Sequence, residues 1–438
     1  MKVQVLQYAI IASSMIAFSQ IAFAATGCVN PGGTSGCQSS IGAAVAAAAA
    51  GDTILVAPGV YKEDVIITKS ISLLGRGSKS TFIDAKGLSN GIFINGMASS
   101  PLAGVSDVTI SGFTVKNANF EGILAVSASG VTITHNHVTK NNLSLTSTAC
   151  PGIPSFETEE AMDCGEGIHL MSTDHSVVAS NVSDYNSGGI LVTDETGPNY
   201  ANLITDNSVN WNGEACGITL ASHPPALSSA MGISYGVHQN TVLKNESGHN
   251  GLNNGGGAGI GMYAPTPGTV NYGNVAIGNV LIGNGLPGVA MHTHAPGAPA
   301  EVLRDNSIIG NYFSGNGADT ADAATAGPTA INVYSVAPVT GIVIAGNVIE
   351  DEAIGVSFNS PASVTNGSPQ MQAHLNLFEP KSIGISTLGA ATVDGTLNWW
   401  GCPQGPGKDS CATTTGGVVF QPWLTTKPES EFPPIPTR

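Results

Sequence analysis

The chain has 438 residues, of which 10% are charged and 56 are glycine, and its formal net charge at pH 7 is -16. So little charge excludes ordinary disorder, and that much glycine is foreign to a helical protein. The 14 basic residues against 30 acidic ones exclude a nucleic-acid partner, whose phosphates call for clustered Lys and Arg.

Taken in chain order, residues 1–24 read as a signal peptide. Lys2 supplies a positive start, an apolar run passes through Ile10, Ile11 and Met15, and Ala22-Phe23-Ala24 is an A-x-A cleavage site. No later stretch reaches the roughly 18 apolar residues that span a bilayer. The expected mature chain is secreted or periplasmic and has no membrane span. The seven cysteines suit an oxidising destination. Cys28 with Cys37, Cys150 with Cys164, and Cys402 with Cys411 are close sequence pairs that would each close a short loop. Cys216 is left over as a buried thiol. Residues 25–50 hold the first loop and most of SSIGAAVAAAAAG, Ser39 to Gly51. It reads as a short helix with a Ser N-cap and a Gly stop, suited to cover the end of a core.

The middle of the chain repeats. VTITHNHVTKN, SVVASNVSDYN, NLITDNSVNWN, YGVHQNTVLKN, NVAIGNVLIGN and SIIGNYFSGN share alternating apolar residues up to an Asn, then a second Asn five positions on. The first column reads Asn136, Asn181, Asn207, Asn240, Asn279 and Asn311. The second reads Asn141, Asn186, Asn212, Asn245, Asn284 and Asn316; Asn347, Asn376 and Asn398 continue the first. After most units comes a short strand: GILAV, GIHLM, GILVT, GITLA, GIGMY, GVAMH, AINVY, IGVSF and IGIST. Period-two alternation marks half-buried strands, and Asn and Gly at fixed offsets mark the bends. A unit of two or three short strands recurring at this interval is a solenoid of strands. The expected fold is all-β, a single domain over residues 51–424, with an extended tail over 425–438. Trp399, Trp400, Phe420 and Trp423 gather near the end, a composition suited to an apolar plug.

These repeats resemble the right-handed parallel β-helix proteins of the pectin-lyase-like superfamily. GDTILVAPGVYKEDVIITKSISLLGRG resembles their first coil, and NWWGCPQGPG followed by PWL at 422–424 resembles a common final coil. The resemblance implies the scaffold and, by analogy, a polysaccharide substrate class. It implies no mechanism. Polygalacturonases carry a Gly-His-Gly element where this chain has only Ser247-Gly248-His249-Asn250-Gly251. The Gln-Gly-Arg of pectin methylesterases is missing, and the Asp-Pro-His of alginate epimerases meets only Thr173-Asp174-His175. The basic residue that pectate lyases use as a base has one arginine candidate in the coils, Arg304.

Candidate site residues follow from strand geometry. Aligning the repeated strands on Ile168, Ile190, Ile218, Ile260, Val289 and Ile331 puts Leu170, Val192, Leu220, Met262, Met291 and Val333 inward as well. The outward positions then read His169 and Met171, Thr193 and Glu195, Ala221 and His223, Tyr263, His292 and His294, and Tyr334. With rungs about 4.8 Å apart, Glu195, His223, Tyr263, His292, His294 and Tyr334 form one outward stripe. His135 and His137 share the i, i+2 spacing but flank an Asn at a bend, and read as solvated. The acidic stretch FETEEAMDCGEGIH brings Glu157, Glu159, Glu160, Asp163 and Glu166 to the edge of the same face.

Three chemistries fit these groups. His or Tyr can abstract and return a proton at a sugar ring, the lyase and epimerase step. Two carboxylates among Asp163, Glu166, Asp194 and Glu195 can hydrolyse a glycosidic bond. His223, His292, His294 and Glu195 can hold a divalent metal, with donors that suit zinc or copper. The candidate catalytic set is His292, His294, His223, Glu195, Tyr263, His169, Asp163 and Glu166. On this reading the chain is a monomer that acts on or binds a polysaccharide or oligosaccharide along its outward strand face. The alternatives are a non-enzymatic carbohydrate-binding or cell-surface module and a periplasmic metal-handling protein of copper type, the latter by analogy within the superfamily. An enzyme requires His292 and Glu195 to converge on one cleft; a binding module requires an open face with exposed aromatics.

Overall fold

The computed structural model describes residues 24–98, 104–142, 165–223, 235–253, 256–265, 268–293, 302–320, 325–361, 364–365, 368–389, 391–408 and 410–429. Residues 1–23 of the segment read as a signal peptide lie outside these residues, as do Cys150, Cys164, Asp163 and His294. Alternation of apolar and polar residues over three to six positions gives short strands. Each pairs in parallel with its equivalent one coil away, and the chain visits three sheets in a fixed order. Among the described residues the first sheet has 14 strands and the second 11. The third runs from Val65–Ile67 through Ile123–Ser129, Glu166–Asp174, Gly188–Thr193, Ile218–Ala221, Ile260–Tyr263, Val289–His292 and Thr329–Tyr334 to Thr413–Thr415. A short side ladder branches from the end of Glu166–Asp174 through Asn199–Tyr200, Val237–His238, Val270–Tyr272 and Val302–Arg304.

The architecture is a right-handed parallel β-helix. Its core is one continuous apolar column: Ile123, Ile168, Ile190, Ile218, Ile260, Val289, Ile331 and Val356 stand opposite one another on successive rungs, all fully buried. Ile168, Ile190, Ile218, Ile260, Val289 and Ile331 are the inward positions read from the sequence.

The corners share one construction: a residue in the left-handed region, then an Asn whose side chain replaces the backbone hydrogen bonds that the bend interrupts. In the first corner column the side-chain oxygens of Asn181, Asn207, Asn245, Asn279, Asn311, Asn347, Asn376 and Asn398 each accept from the main-chain N–H of the Asn one coil earlier, at 2.8–3.1 Å. A second column runs Asn141, Asn186, Asn212, Asn250, Asn284, Asn316 and ends on Glu352. A third runs Asn202, Asn240, Asn274, Asn306. The column assignment from sequence is corrected at one coil, where Asn240 belongs to the third column and Asn245 to the first. That coil carries Asn240, Asn245 and Asn250 at all three corners, so five-residue spacing alone does not say which corner is which.

Near the N-terminus, Thr26–Val29 pairs with Thr53–Val56. Between them the helix Ile41–Ala47, whose Ser40 N-cap hydroxyl accepts from the Ala43 amide, buries Ile41, Ala44 and Val45. At the other end Trp400 is fully buried against Phe378, while Phe420 and Trp423 pack on the core, so this segment is an apolar plug. Cys28–Cys37 and Cys402–Cys411 are disulfides, and Cys216 is a buried thiol.

Candidate functional site

The outer face of the third sheet is not the open surface that strand alternation suggests. His169, Glu195, His223 and His292 are each 1–2% exposed, and Met171 is fully buried. Connections entering these strands pack over part of the face. Cys216, Ala258 and Leu286, all from such connections, pack with Ala290 and Tyr263, and Met171 packs with Leu124 and Val126 of the neighbouring strand. Period two tells inward from outward; it does not tell outward from exposed.

Two hydrogen-bonded sets occupy this face. In the first, His169 Nδ1 lies 3.0 Å from Glu121 Oε1, and Nε2 lies 2.8 Å from Thr193 Oγ1. Two positions on from Thr193, Glu195 Oε1 accepts from His223 Nδ1 at 2.7 Å. Burial pushes the Glu195 carboxyl up, but the His223 charge and hydrogen bond outweigh it and hold the group below its usual range. Glu121 was not singled out from the sequence. A signal existed: Glu121-Gly122-Ile123 repeats Glu166-Gly167-Ile168 one rung earlier. Asp194, read as a hydrolytic candidate, instead anchors a bend. It accepts from the Ser222 hydroxyl and from the amides of His223 and Gly236. Burial, then the neighbouring Glu195, pushes its carboxyl up to about 7.

The second set lies further along the axis. His292 Nε2 is 3.4 Å from Asp319 Oδ2 and 3.2 Å from Asn332 Nδ2. Its ring sits edge-on between Tyr263 and Tyr334, with centroids 5.7 and 5.9 Å away. The Tyr263 hydroxyl is 3.3 Å from Cys216 Sγ. The structure therefore joins Glu166 and His169 to Glu121, joins His223 to Glu195, and joins His292 to Asp319. It does not gather His223, Glu195 and His292 into one metal-ligand set; among the described residues Glu121, Glu166 and His169 are the group whose donor atoms all lie within 4.8 Å of one another.

Exposed aromatics stand elsewhere, at the second corner. Tyr185, Trp211 and His249 are the left-handed residues that precede Asn186, Asn212 and Asn250, with φ of 53°, 62° and 56°. They therefore project from successive coils in a row along the axis. The rings of Trp211 and His249 stack at 4.3 Å with 19° between planes. Trp211 is 44% exposed and Tyr185 52%. A cavity of about 360 Å³ opens beside them, lined also by Asn142, Glu214, Leu252 and Asn253.

A family model described as the right handed beta helix region matches residues 76–230, and one described as periplasmic copper-binding protein (NosD) matches residues 155–351. Together with the parallel ladders, this makes the chain a right-handed parallel β-helix protein. Similar solved structures include the mannuronan C-5 epimerase AlgE4 A-module of Azotobacter vinelandii, at 12% identity over 84% of this chain and 88% of that one, TM-score 0.43. The catalytic unit of a GH87 α-1,3-glucanase from Streptomyces thermodiastaticus is 14% identical over 89% of this chain and 66% of that one, TM-score 0.46. The Dettilon tailspike protein is 13% identical over 84% of this chain and 62% of that one, TM-score 0.50. No curated protein sequence matches the chain. The cluster found here, two carboxylates and one imidazole, lacks the thiolate and thioether donors that select Cu(I); its oxygen and nitrogen donors are those that divalent ions take.

Proposed function

We propose that the chain is an exported carbohydrate-binding β-helix that seats a polysaccharide along the row of Tyr185, Trp211 and His249. The Trp211–His249 stack carries this reading. Two flat rings lie nearly parallel and solvent-accessible, in left-handed backbone positions that the next two coils fill with Gly283 and Gly315. The apolar face of a pyranose ring packs against the exposed edges and outer face of such a stack, and its hydroxyls find amide and carboxylate partners at Asn142, Asn253 and Glu214. Aromatics repeating at the rung spacing of about 4.8 Å suit a chain lying along the axis. With a formal charge of -16 and Glu214 at the cavity, a neutral glycan is favoured over a polyuronate, which the protein's field repels.

Binding is favoured over turnover because the acid–base pairs, His223–Glu195 and His292–Asp319, belong to separate sets and are buried to 2% or less, whereas the exposed rings lie at the corner. Two disulfides and the periplasmic family description support export. Affinity electrophoresis of the purified chain through a panel of neutral and acidic polysaccharides tests the reading. Parallel assays for new reducing ends and unsaturated uronates, with and without chelator, score turnover. Retardation by a neutral glycan without cleavage is expected; cleavage of any panel member would replace this reading with an enzymatic one.

A further inference from the structure

Carbohydrate binding at the corner leaves the buried cluster on the third sheet without a role. Glu121, Glu166 and His169 each bring a donor atom within 4.8 Å of the others, and none is more than 2% exposed. The frame that holds them is rigid. Glu121 and Glu166 occupy the same register position on consecutive rungs, because Ile123 stands opposite Ile168, and the Glu166 main-chain N–H donates to Glu121 Oε2 at 2.6 Å. Opposite Glu166 on the next rung is Gly188, where a Cβ would come within 2.8 Å of Glu166 Cγ and Oε1. The missing side chain is the space that the Glu166 carboxylate fills.

The donor types point to an occupant. Two carboxylates and one imidazole, all buried, converge with their donor atoms within 4.8 Å of one another, the oxygen and nitrogen ligands that divalent ions take. His169 Nε2 lies 2.8 Å from Thr193 Oγ1, a hydroxyl able to accept from it. Nδ1 lies on the other side of the ring, 3.0 Å from Glu121 Oε1.

We propose that Glu121, Glu166 and His169 bind a divalent cation of the zinc or manganese class, through one oxygen of each carboxylate and the imidazole Nδ1. Ligands held at roughly 2.1 Å from one ion lie roughly 3 Å from each other, which is the observed Nδ1 to Oε1 spacing. The Nε2–H bond to Thr193 is then the outer contact that fixes the tautomer and orients the ring. Two oxygens and one nitrogen suit these ions and disfavour Cu(I).

The proposal is independent of the carbohydrate reading and is tested without any glycan present. The full chain is stripped with chelator, dialysed against Zn²⁺ or Mn²⁺, and its metal counted by mass spectrometry, alongside Glu166→Gln, His169→Gln and Thr193→Val, with circular dichroism confirming the fold of each. The expected result is about one ion bound per wild-type chain, at least tenfold weaker binding in Glu166→Gln and His169→Gln, and an intermediate loss in Thr193→Val. Absence of stoichiometric Zn²⁺ or Mn²⁺, equal affinity in the folded variants, or displacement of Zn²⁺ by equimolar Cu⁺ under anaerobic reduction would overturn it. So would nitrogen NMR of the loaded protein showing His169 doubly protonated.

Discussion

Replacing Asn207 by Leu removes one link from the first corner column while keeping side-chain size. The Asn207 amide donates to the Val178 carbonyl at 2.8 Å and to Asn245 Oδ1 at 2.9 Å. Its oxygen accepts from the Asn181 main-chain N–H at 2.9 Å and from the Asn181 amide at 3.0 Å. After the substitution Asn245 Oδ1 still accepts from the residue 207 backbone, and Asn181 Nδ2 still donates to Ile133. Two buried backbone groups lose this partner outright: the Asn181 N–H and the Val178 carbonyl. At about 1–3 kcal/mol for each orphaned group, offset in part by about 1.5–3 kcal/mol for burying the leucine, the net destabilisation is about 2 kcal/mol. Urea unfolding measures the total. Because a solenoid can open locally, hydrogen exchange at the Asn181 amide measures the link itself, and it should accelerate at least tenfold. Exchange at Asn181 unchanged by Asn207→Leu would refute the claim that the column carries the bend.

At the end of the second column, Glu352 takes the place of an Asn. Its Oε1 accepts from the Asn316 backbone and side chain, its Oε2 is buried with no hydrogen-bond partner, and burial pushes its carboxyl up to about 7. The folded chain thus holds this proton more tightly than the unfolded chain. Stability is full below the unfolded value and falls as pH rises through about 7, by on the order of 3 kcal/mol; Glu352→Gln should remove this slope, and a variant with unchanged pH dependence would contradict it. His223→Ala should cost about 3–5 kcal/mol in urea unfolding, because it strands the Glu195 carboxylate at 1% exposure; an unchanged midpoint would mean the pair is solvated. Alkylation of denatured, unreduced protein should leave Cys28, Cys37, Cys402 and Cys411 unlabelled and label Cys216; mass spectrometry showing label on any of those four would refute the pairing. The close pair Cys150 and Cys164 is expected to be bridged as well.

The fold was legible because it is written in periods. Inward residues such as Ile168, Ile190 and Ile218 recur beside glycine, and the rungs place them in register. The corner asparagines were legible as repeats but ambiguous in frame, since five-residue arms make Asn240 and Asn245 interchangeable until pairing is known. The site was harder to see. His169, His223 and His292 point away from the core, as alternation requires, yet are buried by connections whose path no strand period encodes. Glu121 was concealed by its distance in sequence from His169, although a single rung separates them. Trp211 and His249 follow from the corner rule only once their left-handed conformation is known.

The central claim is that an exposed aromatic row at the second corner binds a neutral polysaccharide. Affinity electrophoresis of wild type and Trp211→Ala in the same glycan-containing gel tests it most directly. Trp211 is 44% exposed and packs little into the core, so the variant should stay folded with an almost unchanged melting temperature. Stacking worth about 1.4 kcal/mol or more predicts at least a tenfold loss of affinity. Equal retardation of the folded variant and wild type would contradict the account and move the binding surface off this corner.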